Sequence, residues 1–198
     1  MKKLSLVAII VLASISVKAQ NNNIQQDTIP VINGDYQFQD IVNVTPALKK
    51  EQLYRNAKIY FMDVFVGAKD AFQYDDKEEG RIIGKGMISV NDYKSTFPGV
   101  TALKWDVNYN VEIICKDGKY RYRLYDIAVV KESHVAENNY RTVHLTMKDI
   151  YEEMPKQKGA YKALYPRVIN KLAIEFKTNI ATLKECMDKQ QPNYSAAF

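Results

Sequence analysis

The chain has 198 residues, 46% of them apolar, and carries 28 lysines and arginines against 23 acids for a formal charge of +5. That length suits one domain with a well-buried core. Residues 1–19 contain Lys2, Lys3 and Lys18 and no acid, so without them the charge falls to about +2; this is too little for the concentrated basic face that nucleic acid requires.

Residues 1–19, MKKLSLVAIIVLASISVKA, predict a signal peptide. Lys2 and Lys3 precede an apolar run from Leu4 to Ile15, and Val17-Lys18-Ala19 places compact residues where a signal peptidase reads. Cleavage is expected between Ala19 and Gln20, giving a protein of the periplasm or the extracellular space. The apolar run falls short of the ~20 residues a membrane-spanning helix needs, so no span is expected after cleavage. No cysteine follows the cleavage point to carry a lipid anchor.

The polar stretch 20–35 predicts a flexible lead-in to a single domain over 36–190, followed by a short tail, 191–198. In 36-YQFQDIVNV-44, Tyr36, Phe38, Val42 and Val44 alternate with polar residues, the period of a half-buried strand. From 46 to 70 the period becomes helical, with Leu53, Ala57, Phe61, Val64, Phe65 and Ala68 on one stripe and Gly67 near the stop.

Four strands are then expected. Phe72 and Tyr74 begin the first, and 81-RIIGKGMISV-90 forms the second. After a loop over 91–100, the third is 105-WDVNYNVEIICK-116, with Trp105, Val107, Tyr109, Val111, Ile113 and Cys115 facing one way. Asp117-Gly118 marks a tight hairpin turn, and 119-KYRYRLYDIAVV-130 returns. Residues 131–154 read as loop with a short helix near Lys148 to Glu153. A final helix over 167–187 carries Ile169, Leu172, Ala173, Phe176, Ile180, Leu183 and Met187 on one face. The order β-α-β-β-β-β-α predicts an α+β domain, an antiparallel sheet with helices packed on one face.

The stretch 73-QYDDKEEGRIIGKGMISV-90 invites two sharper readings. A calcium loop starting at Asp75 would have Lys77 at its third position and Gly86 at its twelfth, where Asp/Asn and Glu belong. A phosphate loop needs four residues between its glycines and a Ser or Thr after the lysine; Gly80 and Gly84 are separated by three, and Lys85 is followed by Gly86. Both fail. A charged turn at 76–80 leading into a strand fits every residue, with Gly84 and Gly86 leaving room for a helix above the sheet.

His134 and His144 lack the spacing and partners of a zinc site, and no Gly-x-Ser-x-Gly elbow is present. No metal, cofactor or catalytic residue is expected. Cys115 and Cys186 form either a disulfide or two separate buried thiols; spacing does not decide between them. The sheet face away from the helices should carry Lys85, Asn108, Asn110, Arg121, Arg123 and Tyr125. It is either plain solvated surface or a binding face, with Arg121 and Arg123 free to grip an anion and replaceable without loss of stability.

The segments LYRNAKIYF (53–61), AFQYDDKEEGRIIGKG (71–86) and CKDGKYRYRLYDI (115–127) resemble an exported Bacteroidetes family of unknown function, DUF4468, described with a fold like the TATA-box-binding protein. The resemblance spans about residues 30–190 and implies a TBP-like fold. That family has no established activity, so no catalytic residue carries over, and the fold name implies nothing about DNA. Two functions remain open. One is a non-enzymatic module binding a ligand or an envelope protein partner; the other is an envelope hydrolase or transferase with a site assembled from scattered polar residues.

Overall fold

The computed structural model describes residues 27–65, 72–136 and 139–190, with the side chains of 132–136 and 139–141 left out. The expected signal peptide and C-terminal tail, Gly67 and Ala68 lie outside the described residues. Among the described residues, eight strands and three α-helices follow in order: β1 Val31–Ile32, β2 Asp35–Tyr36, β3 Phe38–Asn43, α1 Lys50–Val64, β4 Phe72–Asp76, β5 Arg81–Thr96, β6 Gly99–Lys116, β7 Lys119–Ala136, β8 Asn139–Thr146, α2 Met147–Glu153 and α3 Tyr161–Met187. The main sheet is antiparallel in the order β3-β7-β6-β5-β4, with β8 also pairing β7. The expected α+β class is what the chain adopts.

The core lies between this sheet and α1 with α3. Every apolar residue predicted for the inner side of β6, from Trp105 to Cys115, is buried, and so is the whole predicted stripe of the last helix. Aromatic rings fill the centre: Phe61 stacks on Phe65 at 5.1 Å, and Tyr109 meets Phe176 edge-on at 5.0 Å. Burying a Phe of this kind contributes about 1.5–3 kcal/mol. Cys115 and Cys186 are separate buried thiols.

The acidic stretch is a turn. Asp76 accepts a bond from the Glu79 N–H at 2.8 Å, and Gly80 adopts φ +68°, the left-handed conformation that reverses the chain. A Cβ on Gly86 would stand 2.4 Å from Phe65 and 2.5 Å from Tyr109, so this glycine admits the aromatic layer rather than a phosphate.

The segments that carry the family resemblance lock together structurally. Tyr54 and Lys58 of α1 both donate to the Asp75 carboxylate, with Lys58 at 2.6 Å. Burial pushes the Asp75 pKa up, but the Lys58 and Tyr54 hydrogen bonds outweigh it, and the net shift is downward. Residue Lys49, preceding α1, makes no side-chain cap. Asp117 supplies it instead, accepting from the Lys50 N–H at 2.9 Å, while the Gly118 N–H reaches the Leu48 carbonyl at 2.8 Å.

Several boundaries differ from the sequence reading. The first helix spans 50–64 among the described residues, beginning later than the helical period that starts at 46, and its start is fixed by that remote cap. Residues 91–100, expected as a loop, are strand on both sides of a turn at Phe97-Pro98. The alternation is concealed there because Asp92 takes a core-facing position. It is buried and ion-paired to Arg167 of α3 at 2.7 Å and to Lys171 at 3.4 Å. Residues 131–136 continue β7 and 139–146 form β8; only the helix at 147–153 was foreseen. The last helix starts at Tyr161, with Pro166 inside its second turn. Nor are residues 27–35 a loose lead-in. Ile29 is buried, the Asp27 N–H donates to Asn170, and β1 pairs β2.

Candidate functional site

The six residues proposed for the outer face do share it. Lys85, Asn110 and Tyr125 form one cross-strand row, Asn108 sits between Met87 and Ala128, and Arg123 and Arg121 lie opposite Glu112 and Ile114. Their neighbours along each strand, such as Tyr109, Val111, Tyr122 and Leu124, point into the core.

Arg121 and Arg123 are not free. Both turn toward Glu112, which stands in the outward row of β6 with Asn108 and Asn110. Glu112 is only 3% exposed and accepts from Arg81 at 2.6 and 3.0 Å and from Arg121 at 2.9 Å. Arg123 stands 4.0 Å from the same carboxylate and stacks its guanidinium on Tyr125 at 3.8 Å. The hydrogen bonds that Arg81 donates to Glu112 lift the Arg81 pKa still further. One carboxylate therefore holds two guanidinium groups by hydrogen bonds with a third 4.0 Å away, and two positive charges stay uncompensated within the cluster. Removing both β7 arginines would leave Glu112 buried with Arg81 alone, so the expectation that they are neutral surface positions is corrected.

A second feature lies beside this cluster. β3 covers the edge of β7 as far as Leu124, and β8 begins to cover it at Ala128. Between them β7 bulges: its register against β6 shifts between Asn108 and Asn110, and Asp126 takes φ +54°. Left-handed backbone is uncommon for a residue with a side chain, though Asp is among those that tolerate it, and bulges of this kind re-aim side chains. The Asp126 carboxylate turns onto the outer face and accepts from the Asn110 amide at 2.9 Å.

Two depressions meet at this bulge. One, of about 500 Å³, runs along the uncovered edge and is lined by Asp35, Tyr36, Arg123, Tyr125, Asp126 and Lys148 among others. The other, of about 240 Å³, lies on the outer face, where Gln73, Lys85, Asn108, Asn110, Asp126 and His144 converge. Asp126 and Ala128 belong to both. The lining mixes donors, acceptors and both signs of charge with the rings of Tyr36, Tyr109 and Tyr125, a composition suited to holding a polar ligand or a protein loop. Among the described residues, no Ser, Thr or Cys is hydrogen-bonded to a histidine, and no three His, Cys, Asp or Glu gather closely enough for a metal ion.

Sequence reasoning found Lys85, Asn108, Asn110, Arg123 and Tyr125 of this region and missed Asp126, His144, Gln73 and Glu112. For Asp126 a signal exists. Inward residues of β7 fall at 120, 122 and 124 and then at 127 and 129, so the alternation slips by one at Tyr125-Asp126. His144 and Gln73 carry no such mark, because their strands were read as loop or only in outline.

Comparisons with known proteins agree with this architecture. Residues 38–129 match the model of a domain of unknown function (DUF4468) with a TBP-like fold. A crystal structure of a TBP-like protein from Parabacteroides distasonis superposes with a TM-score of 0.59 at 16% identity, covering 82% of this chain and 99% of that one. A DUF4468 family protein from Bacteroides ovatus gives a TM-score of 0.50 at 15% identity, covering 83% and 94%. At such identities the likeness speaks for the fold alone. No curated protein matches the chain. Residues 38–129 thus match the DUF4468 family, and the fold of the chain is TBP-like.

Proposed function

We propose that this is an exported, non-enzymatic binding module that takes a ligand or an envelope protein at the joined depressions around Asp126. The observation that carries the reading is the convergence of side chains from β4, β5, β6, β7 and β8 on one bulged residue, beside arginines already held in place by Glu112. Pre-positioned polar groups lose little freedom on binding, which favours recognition. The lining pairs no nucleophile with a base, which weighs against the hydrolase or transferase alternative. Export rests on the leader sequence, Lys2-Lys3 followed by the apolar run and Val17-Lys18-Ala19.

The test is affinity capture from native envelope extract with the processed protein as bait. A Lys85→Ala, Asn108→Ala, Asp126→Asn triple variant should lose the captured species while keeping its thermal midpoint, since Asn also tolerates the left-handed backbone at 126. A folded triple variant that captures the same species would end this reading. Mass spectrometry of native envelope protein should find Gln20 at the start; an intact Met1 would contradict export.

A further inference from the structure

We infer that the tip of the β5–β6 ribbon is a peripheral membrane contact that docks on an anionic lipid surface. The last described contacts that tie this ribbon to the rest of the fold are those of Asp92 with Arg167, of Leu103, the cross-strand partner of Asp92, with the core, and of Trp105 with Tyr165. Beyond them the strands run on through Thr96 and back from Gly99, about 13 Å at strand rise. Tyr93, Phe97 and Val100 are 66%, 103% and 66% exposed. Phe97 stands at the apex of the turn. Tyr93 pairs with Ala102 and Ser95 with Val100, so Tyr93, Val100 and Ala102 share one face of the ribbon.

The charge around this tip has one sign. Residues 93–104, YKSTFPGVTALK, contain two lysines and no acid. The adjacent acid, Asp92, is buried and held by Arg167 and Lys171. α3 runs toward the same end as it is followed back from Phe176 on Tyr109 to Tyr165 on Trp105. Its first turn brings exposed Tyr161 and Lys162, with Lys158 just before it. Lys94, Lys158 and Lys162 make no ion pair among the described residues, whereas Lys104 is held by Asp106 at 3.2 Å.

A projecting apolar apex collared by unpaired lysines is complementary to an anionic bilayer. The aromatic and aliphatic tips enter the boundary between headgroups and acyl chains, and the lysines stay with the phosphates. Each lysine near such a surface gains about fivefold in partitioning, so three together give on the order of a hundredfold preference over neutral lipid. No helix of the described residues is long and apolar enough to cross a membrane, so the contact is peripheral.

The test uses a Phe97→Cys variant of the whole protein carrying an environment-sensitive fluorophore at that position; Cys115 and Cys186 are buried and escape the label. Vesicles containing phosphatidylglycerol should shift its emission to the blue, and pure phosphatidylcholine vesicles should not. Because the readout is local to residue 97, binding through the leader sequence leaves it unmoved. Phe97→Asp should lower co-sedimentation with anionic vesicles by about tenfold or more, at an unchanged thermal midpoint. An emission spectrum indifferent to anionic vesicles overturns the inference, as does an equal shift with neutral ones. A shift produced by a protein in the absence of lipid overturns it equally.

Discussion

Replacing Gly86 with alanine should destabilise the fold. The new Cβ would lie 2.4 Å from Phe65 Cε1, 2.5 Å from Tyr109 Cζ and 2.7 Å from Tyr109 Oη, where ordinary carbon contacts begin near 3.5 Å. Both rings have packed neighbours. Phe65 is wedged against Phe61 and Tyr60, and Tyr109 is held by Phe176 and by the Asn179 amide at 3.2 Å. Overpacking costs about 1–3 kcal/mol, and two buried rings place this case near the upper end. Displacing Tyr109 also gives up its bond to Asn179, about 0.5–1.5 kcal/mol. Against this, alanine restricts the unfolded chain and returns about 0.4–1 kcal/mol. The clash wins by about 2–3 kcal/mol, which for a domain of this size lowers the midpoint by roughly 4–12 °C. Lys85→Ala, one residue away on the exposed face, should change stability by no more than about 0.5 kcal/mol. Thermal and urea unfolding of the two variants side by side decide the matter. A Gly86→Ala protein melting within 2 °C of wild type (the ~ resolution of the comparison), or the reverse ranking, would refute the packing argument and reopen a ligand role for Gly-Lys-Gly.

Glu112→Gln should cost about 1–2 kcal/mol by urea unfolding, less than a fully buried pair because solvent screens its half-exposed arginines, and more than Arg123→Ala; the opposite order would show that the cluster is not organised by its carboxylate. Burial raises the Asp92 pKa, but the Tyr93 N–H, Lys171 and Arg167 together lower it below its ordinary value. Its contribution is therefore complete above about pH 4 and lost as pH falls through the folded-state pKa, so the stability gap between wild type and Asp92→Asn should be wide at neutral pH and close in acid. A gap independent of pH would contradict the ion pairing. Burial pushes the Cys115 thiol up to about 12 and raises Cys186 as well. Neither should react with a thiol reagent within minutes at pH 8 until denaturant is added, and rapid labelling of the native protein would show that the core is open there.

Much of the frame was legible in the sequence because periodicity survives wherever a strand or helix has one wet side. The run from Trp105 to Cys115 and the stripe from Ile169 to Met187 could be read directly, and Asp117-Gly118 marked the hairpin that joins β6 to β7. Legibility failed where one residue did two things at once. Asp92 is a strand residue on the core side but needs Arg167, 75 positions away, to be tolerable there, and without that partner it reads as loop. Glu112 has the spacing of a solvent-facing residue, and only arginines from β5 and β7 make it an organising centre. The bulge at Asp126 left a trace in the slipped alternation of β7. Its meaning depends on where β3 ends and β8 begins, which no local pattern records.

The clasp at Asp117-Gly118 bears on the order in which the chain assembles. The first turn of α1 has no cap of its own, and the carboxylate that terminates it arrives from 67 residues downstream. A two-residue hairpin closes in microseconds from neighbours in the chain, whereas a contact across that span must first close a long loop. The β6–β7 hairpin is thus the natural early structure, and α1 acquires a defined beginning only by docking on a turn that already exists. During synthesis the helix leaves the ribosome well before the residue that caps it, and until Asp117 follows, its first turn frays.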